Sequence, residues 1–281
     1  MALIFKSRPG LVAYITCGDP NVSTSKAIAL AAIDAGADVI ELGVPFSDPV
    51  ADGPVIQRAS ERALRHGTAL ADVLTIARDV RAQRPNAGLI IFSYLNPILR
   101  FGLERFCAAA ADAGVDGVLV TDLPVEEAAE YLSHMRRRNL ATVFLAAPTS
   151  TDDRLRRIAE VSTGFVYAVS RTGVTGTRQE LANDARALVQ RLRRYTKLPI
   201  AVGFGISTPE HVHEVARFAD AAVVGSAIVQ AIENAASTGT APLAVAELVR
   251  KLLAVSSKPL AGSPAARAAA STSVSRSRNL K

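Results

Sequence analysis

Residues 39–54 read Val-Ile-Glu-Leu-Gly-Val-Pro-Phe-Ser-Asp-Pro-Val-Ala-Asp-Gly-Pro. The first six have the length and apolar character of a buried strand, and the proline, serine and aspartate residues that follow mark a loop. Yet a glutamate stands in the middle of the strand. Burying an unpaired charge costs several kcal/mol, so Glu41 must be paired, be neutral, or face something other than core. Alternation places Glu41 and Gly43 on one face and Ile40, Leu42 and Val44 on the other. The bulky apolar face belongs against helices, which turns Glu41 the other way.

Similar runs recur at 11–17, 89–94, 117–122, 141–146, 164–170, 199–205 and 221–226. Between them lie amphipathic helical stretches such as 23–35, 102–112, 125–138, 152–160 and 179–194. Thr151 and Ser207-Thr208-Pro209 carry N-cap signals, and Gly36, Gly114 and Gly164 stand where helices should stop. Continuous apolar strands alternating with helices imply a parallel sheet covered on its faces. Eight such units, in a size near the ~250 residues typical of the fold, predict a single (β/α)8 TIM barrel over 1–255. A doubly wound open sheet is the alternative, but regular units without a break in composition favour closure.

The chain has 281 residues and a formal charge of +6. Five of those charges, Lys258, Arg267, Arg276, Arg278 and Lys281, lie in a Ser/Ala/Pro-rich stretch with no acid, 256–281, which leaves about +1 for the body. This composition predicts a disordered basic tail, with weak attraction to phosphate polymers as the alternative. The arginine runs 136–138 and 191–194 read as solvated helix faces rather than a nucleic-acid groove. No apolar run approaches the ~20 residues of a membrane span. Two distant cysteines, Cys17 and Cys107, and a start without a signal-peptide pattern lead us to expect a cytoplasmic protein.

In such barrels the site lies at the carboxyl ends of the strands. Asp19, Asp48, Asp52, Tyr94, Asn96, Asp122 and Ser170-Arg171-Thr172 fall there, with glycines at 203, 205 and 225 and Ser226. Glu41, facing the barrel mouth and partly desolvated, would have a raised pKa suited to proton exchange near neutrality. A buried glutamate satisfied by backbone donors is the plainer reading, and position alone does not separate the two. Small residues in the loops after strands 6, 7 and 8 suit a phosphate group. No lysine stands at a strand's carboxyl end for a Schiff base, and the four histidines fall on predicted helices without a metal-binding arrangement. Two carboxylates, hydroxyls and a phosphate cradle suit proton transfer on a small phosphorylated substrate.

The runs LVAYITCGDP, ELGVPFSDPVADGP, SYLNPI, SRTGVTG and GFGIS together resemble the alpha subunit of tryptophan synthase, from about residue 11 to residue 250. The resemblance implies retro-aldol cleavage of indole-3-glycerol phosphate to indole and glyceraldehyde 3-phosphate. It places Glu41 and Asp52 at the family's two catalytic carboxylates and Thr175 where a loop hydroxyl meets Asp52. Gly176, Gly205, Gly225 and Ser226 fall on phosphate-binding positions, and Tyr14, Phe92, Leu119, Tyr167 and Phe204 on the indole pocket. It implies no metal or cofactor in this chain, pyridoxal phosphate in a partner beta subunit, and an alpha2beta2 assembly that passes indole to that subunit.

Two features depart from the family pattern. Only about ten residues precede the first strand, in place of a longer helix covering the barrel floor. Tyr14 stands where phenylalanine is frequent. Two other functions remain compatible with the resemblance: a stand-alone indole-releasing lyase, and a catalytically silent barrel that regulates a beta subunit. Retention of both Glu41 and Asp52 weighs against the silent barrel. The tail's composition gives it little to bury, so a chain ending at Val255 should melt with the full-length protein. A fall of many degrees in Tm would show that the tail docks.

Overall fold

A computed structural model describes Phe5, residues 9–169, the backbone of 178–203 (side chains from 183) and residues 205–254. Eight parallel strands close a barrel in chain order: β1 (Gly10–Thr16), β2 (Val39–Gly43), β3 (Gly88–Ser93), β4 (Gly117–Val120), β5 (Ala141–Ala146), β6 (Val166–Val169), β7 (Ile200–Gly203) and β8 (Ala221–Val224). All eight expected strands are present, and closure runs through β1 pairing with β8. The helices around them are α1 (Val22–Asp34), α2 (Pro54–Arg65), α3 (Leu70–Gln83), α4 (Leu95–Phe101), α5 (Leu103–Asp112), α6 (Ala129–Arg137), α7 (Asp152–Val161), α8 (Arg178–Leu192), α9 (Pro209–Ala216), α10 (Ser226–Glu233) and α11 (Ala241–Leu253).

Alternation divides β2 as the sequence predicts, and the other strands follow the same division. Leu11, Ala13 and Ile15 of β1 and Ile40 and Leu42 of β2 belong to the core between strands and helices. Val12, Val39, Ile90, Leu119, Val143, Phe165, Ala201, Ala221 and Val223 fill the barrel interior. Thr151 and Thr208 cap α7 and α9 as expected, each hydroxyl accepting a backbone N–H three residues on. The stretch 125–138 is not one helix: a 3-10 turn at Val125–Glu127 precedes α6. Gly164 ends no helix, because α7 stops at Ser162, whose backbone is already extended.

The floor of the barrel is closed by one device used four times. Asp38, Asp116, Thr163 and Asp220 stand just before the even-numbered strands. Each accepts on its side chain the N–H of a residue opening the preceding strand: Leu11, Leu89, Thr142 and Ile200 respectively, at 2.8–3.0 Å. Each returns its own N–H to the same residue's carbonyl. Strand ends thus receive partners that the ladder cannot give them. Gly36 and Gly114 turn the chain from helix into this motif at φ 114° and 74°, a region that penalises any side chain.

The arginine run 191–194, expected as a solvated face, takes part in the packing. Arg191 donates to Asp152 and to the carbonyls of Pro148 and Ser150, and Arg193 pairs with Asp220. The short N-terminus also does more than its length suggests. Phe5 packs its ring 5.9 Å from that of Phe165 inside the barrel, and a side chain on Gly10 would collide with it. One aromatic residue therefore plugs the floor. Phe5→Ala should destabilise by about 2 kcal/mol, less than a fully buried phenylalanine because the ring is partly exposed, lowering Tm by roughly 4–8 °C. Turnover below the transition should be unchanged, since Phe5 sits at the end of the barrel away from the site.

Candidate active site

Glu41 lies in the middle of β2, between Tyr14 of β1 and Ile90 of β3 in register. It is wholly buried, and neither carboxyl oxygen has a hydrogen-bond partner. Its side chain enters a cavity of about 740 Å³ at the carboxyl ends of the strands. Desolvation raises its pKa to about 8, because nothing offsets the loss of water around the charged form. The plainer reading, a glutamate satisfied by backbone donors, is thereby excluded. Near neutral pH the group is mostly a neutral acid.

Asp52 reaches the same cavity from the loop between β2 and α2. The Tyr94 hydroxyl donates to its Oδ2 at 3.1 Å and accepts the Ala51 N–H at 2.9 Å. The Gln57 amide donates to the Asp52 carbonyl at 2.8 Å. Burial raises the Asp52 pKa to about 6, with the Tyr94 bond opposing the rise. The two carboxyl groups thus differ in state at neutral pH: Asp52 is an anion and Glu41 an acid.

Two tyrosines build the walls beside Glu41. A side chain on Gly43 would collide with the phenol of Tyr14, and one on Gly203 with that of Tyr167. Each ring therefore lies over a strand where only hydrogen leaves room for it. Phe92 meets Tyr14 edge-on at 5.1 Å, and Ile56, Leu145 and Ile206 extend the apolar lining. The Tyr14 hydroxyl is 3.4 Å from Thr16 Oγ1. At the far rim, Gly205, Gly225 and Ser226 line the cavity, and α10 begins at Ser226 as its position in the sequence suggested.

Of the residues assigned from sequence, the structure brings Glu41, Asp52, Tyr14, Phe92, Tyr167, Gly205, Gly225 and Ser226 to one cavity. Leu119 does not reach it: it is enclosed in the interior layer with Ile90, Val143 and Phe165. It was assigned to the pocket on family resemblance, and depth within the barrel depends on strand stagger. Thr175, Gly176 and Phe204 lie outside the described residues. Tyr94 was visible as a polar residue at a strand end, but its bond to Asp52 was not. The described residues hold no cluster of metal-ligating side chains and no helix long and apolar enough to cross a membrane.

Comparisons with known proteins agree with this geometry. The family model described as the tryptophan synthase alpha chain matches residues 2–261. The tryptophan synthase alpha chain of Solibacter usitatus is 53% identical, covering 88% of this chain and 92% of the relative. That of Neisseria meningitidis serogroup B is 46% identical, over 86% and 92%. Among solved structures, a chain of the tryptophan synthase α2β2 complex of Pyrococcus furiosus superposes with a TM-score of 0.83 at 41% identity, covering 90% of this chain and all of that one. The alpha subunit from Legionella pneumophila gives a TM-score of 0.80 at 37% identity, over 87% and 91%. A family match over almost the whole barrel, with near-full coverage of the relatives, leaves one conclusion: the chain belongs to the tryptophan synthase alpha chain family.

Proposed function

We propose that Glu41 and Asp52 carry out the retro-aldol cleavage of indole-3-glycerol phosphate to indole and glyceraldehyde 3-phosphate. The observation that carries this reading is the state of Glu41: buried, unpartnered and facing a cavity that also holds an anionic Asp52. An aryl carbanion is too poor a leaving group to depart directly, so C3 of the ring must first accept a proton. The neutral Glu41 carboxyl supplies it. Protonation at C3 places positive charge on the ring nitrogen, and the Asp52 carboxylate stabilises it by accepting the N–H. The bond between C3 and the side chain then breaks, its electron pair returning to the ring. The adjacent hydroxyl becomes the aldehyde as its proton passes to the Glu41 carboxylate, which restores the acid.

The rest of the cavity supports the same substrate. Tyr14, Phe92 and Tyr167 offer flat apolar walls to an indole ring. Gly205, Gly225 and the start of α10 at Ser226 offer backbone N–H groups to a phosphate. We assign Thr175 to assisting Asp52, Gly176 to the phosphate and Phe204 to the indole wall on family resemblance. The Pyrococcus α2β2 complex supports an alpha2beta2 assembly here, and on family resemblance we assign the pyridoxal phosphate to the beta subunit and no cofactor to this chain. Val50, 85% exposed two residues before Asp52, suits a partner resting on the loop beside the site. The two separate buried thiols, Cys17 and Cys107, suit the cytoplasm.

Glu41→Gln should keep the fold and lose turnover by roughly 10²–10⁴-fold, measured as indole release with and without added beta subunit. Turnover within tenfold of wild type would remove Glu41 from the mechanism. Asp52→Asn should fall mainly in kcat; a change in KM alone would make it a binding residue. The pH dependence of kcat/KM should be bell-shaped, its acid limb near 6 from Asp52 and its alkaline limb near 8 from Glu41.

Glu41 also links pH to stability. Its folded pKa is raised from 4.5 to about 8, so the unfolded chain loses this proton first and stability falls as pH climbs through that window. Glu41→Gln removes that slope. In denaturant melts its margin over wild type should grow from pH 5 to pH 8.

A further inference from the structure

The helix that follows Asp52 packs Val55, Ile56 and Ala59 against Tyr14 and Val229 and is further tied by polar contacts. In α2 only Ala59, Ser60 and Ala63 are buried, all of them small. Its N-cap is Gly53, with no side-chain cap. Two arginines one turn apart fix its position. Arg62 donates Nε and Nη2 to the two oxygens of Asp19, each at 2.8 Å, and Nη1 to Glu233 at 2.7 Å. Arg58 makes its own two-pronged contact with Glu233, at 3.0 and 2.8 Å. Asp19 is 2% exposed and lies in the loop after β1, while Glu233 ends α10. Gln230, which lines the cavity, adds a further bond to Glu233 at 2.8 Å.

These contacts join three pieces of the site. The loop that enters α2 carries Asp52, whose carbonyl is tied to the helix by the Gln57 amide. The first turn of α10 carries Ser226 at the rim assigned to the phosphate. The β1 loop holding Asp19 continues the strand that carries Tyr14. We infer that Arg62, with Arg58 and Glu233, is a positioning clamp that sets where Asp52 stands relative to the ring and to the phosphate end of one bound substrate. This rests on the roles proposed above for Asp52 and Ser226. Fork geometry is essential to it, because a guanidinium can hold two carboxylates in fixed directions and an ammonium cannot. Small displacements of a catalytic group cost rate far more than affinity.

The test uses indole-3-glycerol phosphate cleavage by the full chain. Arg62→Lys keeps the charge but loses the fork, and should lower kcat by about tenfold or more while KM moves by less than about threefold. Arg62 replacement leaves Asp19 partly unpaired and can impair folding, so Glu233→Gln is the second variant. It leaves the Arg62–Asp19 pair intact and should lower kcat by roughly three- to tenfold. In an Asp52→Asn background Arg62→Lys should cost less than about twofold, since the group it places is already disabled. Additive losses in that background, a change in KM alone, or a lower Tm with kcat unchanged would each overturn the clamp. Failure of the wild-type chain to cleave the substrate would instead overturn the functional roles on which the clamp rests.

Discussion

A carboxyl group with neither oxygen hydrogen-bonded, in the middle of a barrel strand, is the constraint on which the site depends. It destabilises the fold whenever it is ionised, and a single change to an amide would relieve that penalty. The surroundings maintain it all the same. Tyr14 and Tyr167 take up space over Gly43 and Gly203, and the residues inward of Glu41 are aliphatic or aromatic. Its oxygens are shielded from solvent, so the group is mostly protonated at neutral pH. Under the proposed mechanism, stability is traded for an acid that works at neutral pH.

The second carboxyl shows how the same chemistry acquires a different state. Asp52 sits on a loop, in partial contact with solvent, with one phenol donating to it. Its desolvation is smaller and its charged form has a partner, so it ionises below neutrality. Two carboxyl groups in one cavity titrate apart because one is on a strand and the other on a loop. Tyr94 belongs to this division: its hydroxyl spans the Ala51 N–H and the Asp52 carboxylate and fixes the loop's shape at the point where charge is needed.

The barrel was legible because each strand is a compact apolar run and each helix has its own period; both signals are local. Glu41 was legible for the same reason, since strict alternation says which way a strand residue faces. Leu119, assigned on resemblance, shows what that rule does not supply. Direction follows from parity, but height in the barrel depends on how eight strands are staggered, which no single run contains. The Tyr94–Asp52 bond joins residues 42 apart, and the Arg62–Glu233 contact spans 171. Such pairings need closure of the barrel before the partners meet. Phe5 was hidden differently: one aromatic in a short start has no periodicity to reveal its partner.

The repeated floor motif has a consequence for where the ring is weakest. Asp38, Asp116 and Asp220 each use their carbonyl as well, accepting an N–H from the strand beyond: Gly88, Ala141 and Gly10. Each therefore fastens three strands. At the fourth position Thr163 ties β5 to β6, and β7 is entered through Pro199, which has no N–H to give. There the link runs the other way, from the Val166 N–H to the Pro199 carbonyl. The ring is thus three overlapping clasps, one two-strand tie at Thr163 and one plain joint, between β6 and β7. A circular permutation that opens the chain between these two strands would leave every clasp and the Thr163 tie whole, whereas a cut between any other consecutive pair would sever covalent support beside one of them.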